Sequence, residues 1–209
     1  MKIIDEEERL KKITAYDREY WSDSNVILAG MDEVGRGPLA GPVCVACVIM
    51  PNAPLIPYIN DSKKVSEKRR NMLFPVIRDN AIDYSIAWTS PERIDEINIL
   101  EATRETFKHA FESMNVIPTD VMIDALDGID IKTNQHILIH GDALCYNIAA
   151  ASILAKVSRD NYMIQQDELY PQYGFRKNKG YGTAEHIKAL KEYGPCPIHR
   201  KSFIKNFME

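Results

Sequence analysis

Apolar residues fall into five short runs that are typical of buried strands. The runs cover residues 25–33, 42–50, 81–90, 120–126 and 136–141. Each run is only a few residues long and is flanked by polar, glycine or proline residues, which favours a strand over a helix. The sequence therefore predicts five strands.

Five longer segments carry a helical pattern. They span residues 5–21, 66–80, 90–114, 142–170 and 183–194. Ser66 is a possible N-cap, and Ser90 opens a Ser-Pro-Glu helix start. Thr183 and His186 flank a third start, and Gly194 follows the end of that helix. Because strands come early and then alternate with helices, the order favours an α/β layered domain with a mixed sheet.

Length and composition narrow the class of protein. A chain of 209 residues with 45% hydrophobic residues builds a sizeable core, and one domain with a small appendage is expected. The opening "MKIIDEEERLKK" has acids where a signal peptide needs apolar residues. The longest apolar helical stretch is shorter than the roughly 20 residues that span a bilayer. We therefore expect a cytoplasmic protein without membrane contact.

The four cysteines are expected to be inert thiols. Cys44 and Cys47 have the C-x-x-C spacing of metal and redox sites, but they lie in a predicted strand. Residues three apart on a strand point to opposite faces, so the pair does not close a metal site or a disulfide. Buried, reduced cysteines are the interpretation favoured here.

Charge is distributed unevenly along the chain. From residue 171 onward there are eight lysines and arginines against three acids, whereas the whole chain carries a net charge of -4. An acidic body with a basic end can hold a metal in one place and a polyanion in another. A solvated basic tail explains the charge pattern equally well.

Four acids stand at or near the ends of predicted strands: Asp32, Glu33, Asp124 and Asp142. Strand ends are where sites collect in layered α/β folds. Carboxylates brought together repel one another, and a hard cation such as Mg²⁺ or Mn²⁺ relieves that repulsion. Two such ions about 4 Å apart can drive phosphodiester hydrolysis. This pattern indicates a metal-dependent enzyme that acts on phosphates.

Each of these acids also has a simpler structural interpretation. Asp142 can serve as the N-cap of the following helix, and Asp124 can cap a turn. Glu33 can face solvent, since neighbouring strand residues point in opposite directions. Only a bend lets Asp32 and Glu33 reach one site, and the glycines that follow are able to supply it.

Five segments resemble the bacterial ribonuclease HII family. "GMDEVGRGPLAGPV" resembles the opening motif of that family and "NDSKKVSEKRR" its DSK segment. "IHGDALCYNIAAASILAKVSRD" resembles its acid-bearing strand-to-helix signature. "KGYGTAEHIKAL" and "YGPCPIHRKSF" resemble its C-terminal signatures. The segments follow one another in family order from about residue 26 to residue 204.

The resemblance implies a fold and an activity. The fold is a ribonuclease H-like mixed five-stranded sheet flanked by helices, with a C-terminal helical portion. Residues 1–25 are expected to be an N-terminal helical extension, and residues 26–209 the catalytic domain. The implied substrates are RNA–DNA hybrids and DNA duplexes that contain ribonucleotides, bound by a monomer. The implied cut falls on the 5′ side of a single ribonucleotide and leaves a 5′-phosphate and a 3′-hydroxyl.

The resemblance also implies the metal ligands. Asp32, Glu33, Asp124 and Asp142 match the four catalytic acids of the family. They are expected to hold Mg²⁺ or Mn²⁺, with two ions present during catalysis.

Substrate contacts carry over in the same way. The backbone of Gly35, Arg36 and Gly37 matches the segment that reads the ribose 2′-hydroxyl, the group that distinguishes RNA from DNA. Tyr181 matches the tyrosine that stacks on the deoxyribose after the ribonucleotide and contacts that hydroxyl. The candidates for phosphate contacts are Lys63, Lys64, Lys156 and Arg200. A plain surface role is equally compatible with any one of the lysines.

Three alternatives are weaker. Ribonuclease HIII carries GKG rather than GRG and has a sizeable extra N-terminal domain, whereas about 25 residues precede the first strand here. A catalytically dead hybrid-binding module is expected to lack at least one acid, and all four are present. A metal-dependent phosphatase has no use for the GRG segment and Tyr181.

Overall fold

The computed structural model describes residues 3–208, and side chains from residue 6 onward. The helices in this part are α1 Ile3–Ile13, α2 Ala15–Trp21, α3 Glu67–Asn80, α4 Pro91–Ile97, α5 Ile99–Glu112, α6 Gly141–Leu144, α7 Tyr146–Leu169, α8 Phe175–Asn178, α9 Ala184–Tyr193 and α10 Lys201–Met208. The strands are β1 Leu28–Val34, β2 Val43–Ile49, β3 Asp83–Thr89, β4 Asp120–Asp124 and β5 Asn134–Leu138.

The five strands form one sheet in the order β3-β2-β1-β4-β5. Strand β2 pairs antiparallel with β1 and β3, whereas β4 pairs parallel with β1 and β5. The predicted mixed five-stranded sheet is thus confirmed. Apolar side chains of α3 and α7 form the core on one face, and those of α5 form the core on the other. The central strand β1 is therefore enclosed from both sides.

Helix α7 lies unusually close to β1. A Cβ added at Gly30 would stand 2.2 Å from the backbone carbon of Asn147, so only glycine permits this approach. Ala149, Ala150 and Ala151 are fully buried, and their small side chains allow the helix to pack closely against the sheet. This contact fixes the position of α7 relative to the end of β1.

Helix α2 supports the start of α7. Asp17 is buried and accepts hydrogen bonds from the backbone N–H groups of Tyr146 and Asn147, at 2.8 and 3.0 Å. The first N–H groups of a helix have no partner within it, and the helix dipole favours a negative charge there. Burial raises the pKa of Asp17, although these donors act in the opposite direction. The N-terminal helices are thereby tied to the main body.

Three predicted helices are divided in the structure. The segment 90–114 breaks at Asn98, where φ is 68° and the side chain accepts from the N–H groups that open α5. The segment 5–21 breaks at Thr14, whose hydroxyl donates to the carbonyl of Leu10. The segment 142–170 breaks at Cys145, which is extended. In each case one polar or extended residue interrupts a pattern that looks continuous in the sequence.

The end of the chain holds further helices. Helices α8 and α10, of four and eight residues, were not predicted. The last strand lies at 134–138 rather than 136–141, since its final predicted residues turn into α6. Among residues 3–208, no helix is long and apolar enough to cross a membrane.

The predicted caps are confirmed. The hydroxyl of Ser66 accepts from the N–H of Arg69 at the start of α3, and that of Ser90 accepts from Arg93 at the start of α4. Thr183 caps α9, which ends before Gly194 at a φ of 73°.

Three of the four cysteines are buried as predicted, whereas Cys196 is partly exposed. Cys44 and Cys47 are buried, carry free thiols and point into the cores on opposite faces of the sheet. Burial raises the pKa of both thiols. They are therefore packing residues.

Candidate active site

Asp32 and Asp124 lie where the parallel pairing of β1 with β4 ends. The last paired residues of β1 and β4 are Met31 and Ile123, and each acid follows directly. Gly30 faces α7, so by strand alternation Asp32 faces α7 as well. Met122 packs with residues of α7, and Asp124 lies on the same face. The two carboxylates therefore stand side by side beneath α7.

Glu33 does not share the direction of Asp32. Strand β1 stays paired with β2 as far as Val34, so the chain bends at Gly35 and not between the two acids. Strand alternation points the two side chains in opposite directions from the backbone, and the Glu33 carboxylate lies 3.6 Å from the Arg36 guanidinium. Burial and the charge of Asp124 raise the pKa of Glu33, although Arg36 acts in the opposite direction, so the carboxylate of Glu33 still borders the acid cluster. Charge on Glu33 still raises the pKa of Asp32, so the carboxylates interact at the strand end.

Asp142 lies in the first turn of α6 and is buried. It is not the N-cap, since that position belongs to His140 and no side chain caps this helix. Asp124 Oδ1 accepts from the Gly141 N–H at 2.8 Å, which ties the end of β4 to the start of α6. This bond brings Asp142 next to Asp124. Burial, and then the charges of Asp61 and Asp124, raise the pKa of Asp142.

Asp61 is a fifth acid that the sequence analysis missed. It is buried and accepts from the Lys63 backbone N–H at 2.9 Å, while Lys64 Nζ lies 3.6 Å from its Oδ2. An acid next to two lysines resembles a surface ion pair in sequence, and only its burial distinguishes it. The structure places it against Asp142.

The acid cluster fits a hard cation. Burial, and then charges on Glu33, Asp124 and Asp142, raise the pKa of Asp32 well above its usual range. Like charges held together in this way are stabilised by a divalent ion, and oxygen ligands are those that Mg²⁺ and Mn²⁺ prefer. Among residues 3–208, no three His, Cys, Asp or Glu side chains are already arranged around one point as ligands. Each of the four carboxylates has a protein partner: the Glu33 N–H for Asp32, Arg36 for Glu33, the Gly141 N–H for Asp124 and Lys63 for Asp142.

A backbone hydrogen bond joins the GRG loop, which contains Gly35, Arg36 and Gly37, to the loop that carries Tyr181. The backbone N–H of Leu39 donates to the Gly180 carbonyl at 2.8 Å, which places the two loops edge to edge. A Cβ at Gly37 would lie 3.9 Å from Tyr181 Cε1. Tyr181 is 43% exposed, so its ring forms an accessible surface beside Gly37. The structure thus brings together the two segments that sequence analysis assigned to the sugar.

The fold requires a glycine at only one of the two glycine positions of the GRG loop. Gly35 has a φ of 98°, and a Cβ there would lie 2.3 Å from Arg159 Nε. Gly35 is therefore required by the fold. Gly37 has no such φ, and a Cβ there would make only an ordinary contact. The packing of the protein gives no reason for a glycine at position 37.

The basic candidates differ in how far they are exposed. Lys63 and Lys64 are exposed at the rim of the acid cluster, 3.5 and 3.6 Å from Asp142 and Asp61. Lys156 is partly buried and pairs with Asp160 at 2.8 Å. The prediction that Arg200 contacts phosphate is wrong, because its guanidinium is fully buried and donates to backbone carbonyls.

The sheet order and its flanking helices define a ribonuclease H-like α/β protein, with a carboxylate cluster where β1 and β4 end. The family profile described as ribonuclease HII matches residues 29–206. A ribonuclease HII of Ruminiclostridium cellulolyticum is 48% identical over 204 residues, which are 98% of this chain and 80% of that protein. The chain belongs to the ribonuclease HII family and is a hydrolytic endonuclease.

Solved structures agree with this fold. The ribonuclease H2 of Pyrococcus horikoshii aligns with a TM-score of 0.74 and 26% identity, covering 87% of this chain and 96% of that one. Bst-RNase HIII, solved in complex with Mn²⁺, aligns with a TM-score of 0.63 and 19% identity. That alignment covers 80% of this chain and 62% of that one, and it shows the fold alone. The preference for ribonuclease HII over HIII is confirmed by the family match.

Proposed function

We propose that this enzyme cuts the RNA strand of RNA–DNA hybrids and nicks duplex DNA on the 5′ side of single embedded ribonucleotides. The observation that carries the proposal is Gly37, a glycine that the fold does not require, beside the exposed ring of Tyr181. A missing Cβ leaves the backbone open to a sugar, and the ring next to it offers a flat apolar surface.

Four acids supply the catalytic centre in this proposal: Asp32, Glu33, Asp124 and Asp142. They would hold two divalent ions, Mg²⁺ or Mn²⁺, which supply activation of water and stabilisation of the leaving oxygen. The donor set supports the assignment, because burial and mutual repulsion raise the pKa of Asp32 and of Asp142. The Gly141 N–H fixes one oxygen of Asp124 and leaves the other free.

The protein residues around this centre select the substrate. The backbone of Gly35, Arg36 and Gly37 donates to the ribose 2′-hydroxyl, and Tyr181 stacks on the following sugar. Lys63 and Lys64 contact phosphates, since both carry exposed ammonium groups at the rim of the acid cluster. A phosphatase acting on small esters would leave Gly37 and Tyr181 without a role.

We also propose that the enzyme acts as a monomer in the cytoplasm, without membrane contact. The buried free thiols of Cys44 and Cys47 fit a reducing compartment. Residues 26–209 are proposed as the catalytic domain and residues 1–25 as a helical extension. The cap that Asp17 forms on α7 supports a stabilising role for the described part of that extension.

A labelled DNA duplex with one ribonucleotide tests the proposal. In Mg²⁺ or Mn²⁺ we expect a single cut on the 5′ side of the ribonucleotide, with a 3′-hydroxyl that a DNA polymerase can extend. The same duplex without the ribonucleotide, and the Asp124→Asn variant, are the controls and are expected to give no cut. Equal cutting of the all-DNA duplex, or a cut on the 3′ side, contradicts the proposal.

A further inference from the structure

Arg200 is a buried cation that donates hydrogen bonds to backbone carbonyls. Its side chain is fully buried and donates to the carbonyls of Gly41, Arg36 and Gly35, at 2.9, 2.8 and 2.5 Å. In the described part of the chain its guanidinium makes no ion pair with a carboxylate. Burial, and then the neighbouring guanidinium of Arg159, lower the pKa of Arg200 to about 9, so it stays charged at neutral pH. Burying a charge without an ion pair costs free energy, and the three carbonyls offset that cost in part by accepting hydrogen bonds.

The three acceptors lie in the GRG loop and in the segment just after it. Arg200 is 164 positions away from Arg36 in the chain, so the contact joins the C-terminal helical portion to the loop at the end of β1. The peptides that follow Gly35 and Arg36 both turn their carbonyls inward to the guanidinium.

This arrangement fixes where the loop N–H groups point. A peptide bond is planar and trans, so its N–H points opposite to its carbonyl. With the carbonyls of Gly35 and Arg36 drawn inward, the N–H groups of Arg36 and Gly37 point outward. Among residues 3–208 neither of these N–H groups donates to a protein acceptor. Two free donors therefore lie together on the outer side of the loop, where Gly37 borders Tyr181.

We propose that Arg200 is a positioning residue for sugar recognition. It orients two successive peptides so that the Arg36 and Gly37 N–H groups face the ribose hydroxyl, and its charge polarises both amides. This inference rests on the proposed function of the GRG loop. Arg200 itself does not touch the substrate.

Arginine suits this role better than lysine. A guanidinium presents several donors in one rigid plane, and here three of its nitrogens reach three different carbonyls. An ammonium is a compact point charge on a flexible stem, so it keeps the charge and loses the fork. The variant Arg200→Lys therefore separates the orienting effect from the charge.

The test measures sugar discrimination in binding. All proteins carry Asp124→Asn to prevent cutting, and dissociation constants are measured for an all-DNA duplex and for the same duplex with one ribonucleotide. We expect Arg200→Lys to lower the affinity ratio between these two duplexes by about tenfold, the effect of losing a hydrogen bond. Affinity for the all-DNA duplex and its dependence on salt should not change, because no phosphate contact is removed.

Arg9→Lys is the matched control. Arg9 also donates from a partly buried guanidinium to a backbone carbonyl, that of Ile59, and in addition pairs with the Glu6 carboxylate. Both partners lie outside the GRG loop. This control should keep the discrimination ratio, when both variants are measured well below their melting temperatures. An Arg200→Lys protein that keeps the ratio of its parent overturns the inference. A parent protein that does not discriminate contradicts the proposed function instead.

Chemical rescue gives a second readout. In Arg200→Gly we expect added guanidinium to restore discrimination and methylammonium to have no effect, because only the planar cation reproduces the fork. Equal restoration by both cations would mean that charge alone matters, and would overturn the orienting role. If Arg200→Gly does not fold, Arg200→Lys still decides the question.

Discussion

Lys63 Nζ lies 3.5 Å from Asp142 Oδ2, so a proposed phosphate contact and a proposed metal ligand are partners in the structure. Burial lowers the pKa of Lys63, but the charges of Asp142, Asp32 and Asp61 outweigh it and raise the pKa above its usual value. The lysine is therefore firmly charged and partly offsets the repulsion within the acid cluster. Its side chain is 79% exposed, which leaves it free to reach a phosphate.

Lys63→Ala should weaken binding to all duplexes alike. Removing one phosphate contact reduces the number of released counterions, so the slope of log affinity against log salt should fall by about 1. Measuring dissociation constants over a salt series checks this, with the exposed Lys12 on α1 substituted by alanine as the control. The position of the cut should stay the same. A displaced cut would show that Lys63 helps to read the ribose.

Asp32→Asn and Asp124→Asn should each remove nearly all turnover. An amide lacks the charge that holds a divalent ion, so both variants should be inactive at any Mg²⁺ or Mn²⁺ concentration tested. Activity of the unmodified enzyme should vanish in EDTA and return when either ion is added. Turnover in EDTA, or near-normal turnover of either variant, would rule out the two-metal proposal.

Asp32→Asn should also make the protein more stable without metal. Because the pKa of Asp32 is raised in the fold, its charged form costs stability at neutral pH, and that cost falls as the pH is lowered. Loss of the charge should raise the melting temperature in EDTA, by roughly 2–4 °C for each 1 kcal/mol of stability gained in a chain of this size. Asp120→Asn is the control, because Asp120 lies in the same sheet but has its pKa shifted in the opposite direction. Burial raises the pKa of Asp120, but hydrogen bonds, first that of His136, outweigh burial and lower it. That variant should lose stability and keep activity.

Gly37→Ala and Gly35→Ala should fail in different ways. At Gly37 a Cβ meets only Tyr181 at 3.9 Å, so the variant should fold normally and cut single-ribonucleotide duplexes poorly. At Gly35 a Cβ meets Arg159 at 2.3 Å with a φ of 98°, so the variant should lose about 2 kcal/mol of stability or more. Melting curves and single-ribonucleotide cleavage distinguish the two outcomes. Normal cleavage by Gly37→Ala would remove the main support for sugar recognition.

Sequence patterns predicted the architecture well because buried strands and helix faces appear in the sequence as runs of apolar residues. The apolar runs of β1 and β2 and the Ala-rich face of α7 are visible without a structure. Interruptions by single residues left no comparable signal. Asn98 looks like any polar residue on a helix, yet its positive φ divides one predicted helix into two.

The site was predicted from motifs, and its internal contacts were not. Asp32 and Asp124 occupy strand ends that the sequence identified, and their shared face follows from strand register. Asp61 was missed because burial of an acid beside two lysines cannot be read from sequence. Arg200 was misassigned for the opposite reason, since a basic residue in a basic segment looks exposed whereas it is fully buried.

Tyr181→Ala should strongly reduce cutting at a single ribonucleotide with little change in melting temperature. The ring is 43% exposed beside Gly37, so its removal leaves no cavity in the core. Tyr181→Phe keeps the stacking surface and loses one hydroxyl, which costs about 0.5–1.5 kcal/mol, or up to roughly tenfold in rate. Cleavage rates for the two variants provide the measurement. A large drop in stability for Tyr181→Ala would favour a packing role instead.

Two buried histidines, His186 and His199, form a hydrogen-bond chain that ends on the backbone carbonyl of Tyr181. The Tyr181 carbonyl can only accept, so His186 Nδ1 donates to it at 2.8 Å. His186 Nε2 is then the acceptor for His199 Nε2 at 3.0 Å, and His199 Nδ1 accepts from the Cys196 N–H at 3.0 Å. This chain of hydrogen bonds requires both rings to be neutral. Burial lowers the pKa of both histidines, and the neighbouring His186 contributes to bringing that of His199 to about 4.

We therefore expect an acid-sensitive contribution from His199 to stability. An unfolded histidine binds a proton near pH 6.5 and the folded His199 only near 4, so the stabilisation is complete above about pH 6.5 and is lost as the pH falls toward 4. This pKa difference corresponds to about 3 kcal/mol over the full range. Urea unfolding between pH 7.5 and pH 5 measures how the free energy of unfolding changes with pH, and comparison with a His199 variant isolates the contribution of this histidine. His199→Gln should be less stable than the unmodified protein at pH 7.5 and should lose less stability on acidification. An identical slope for His199→Gln and the unmodified protein would contradict the neutral pair.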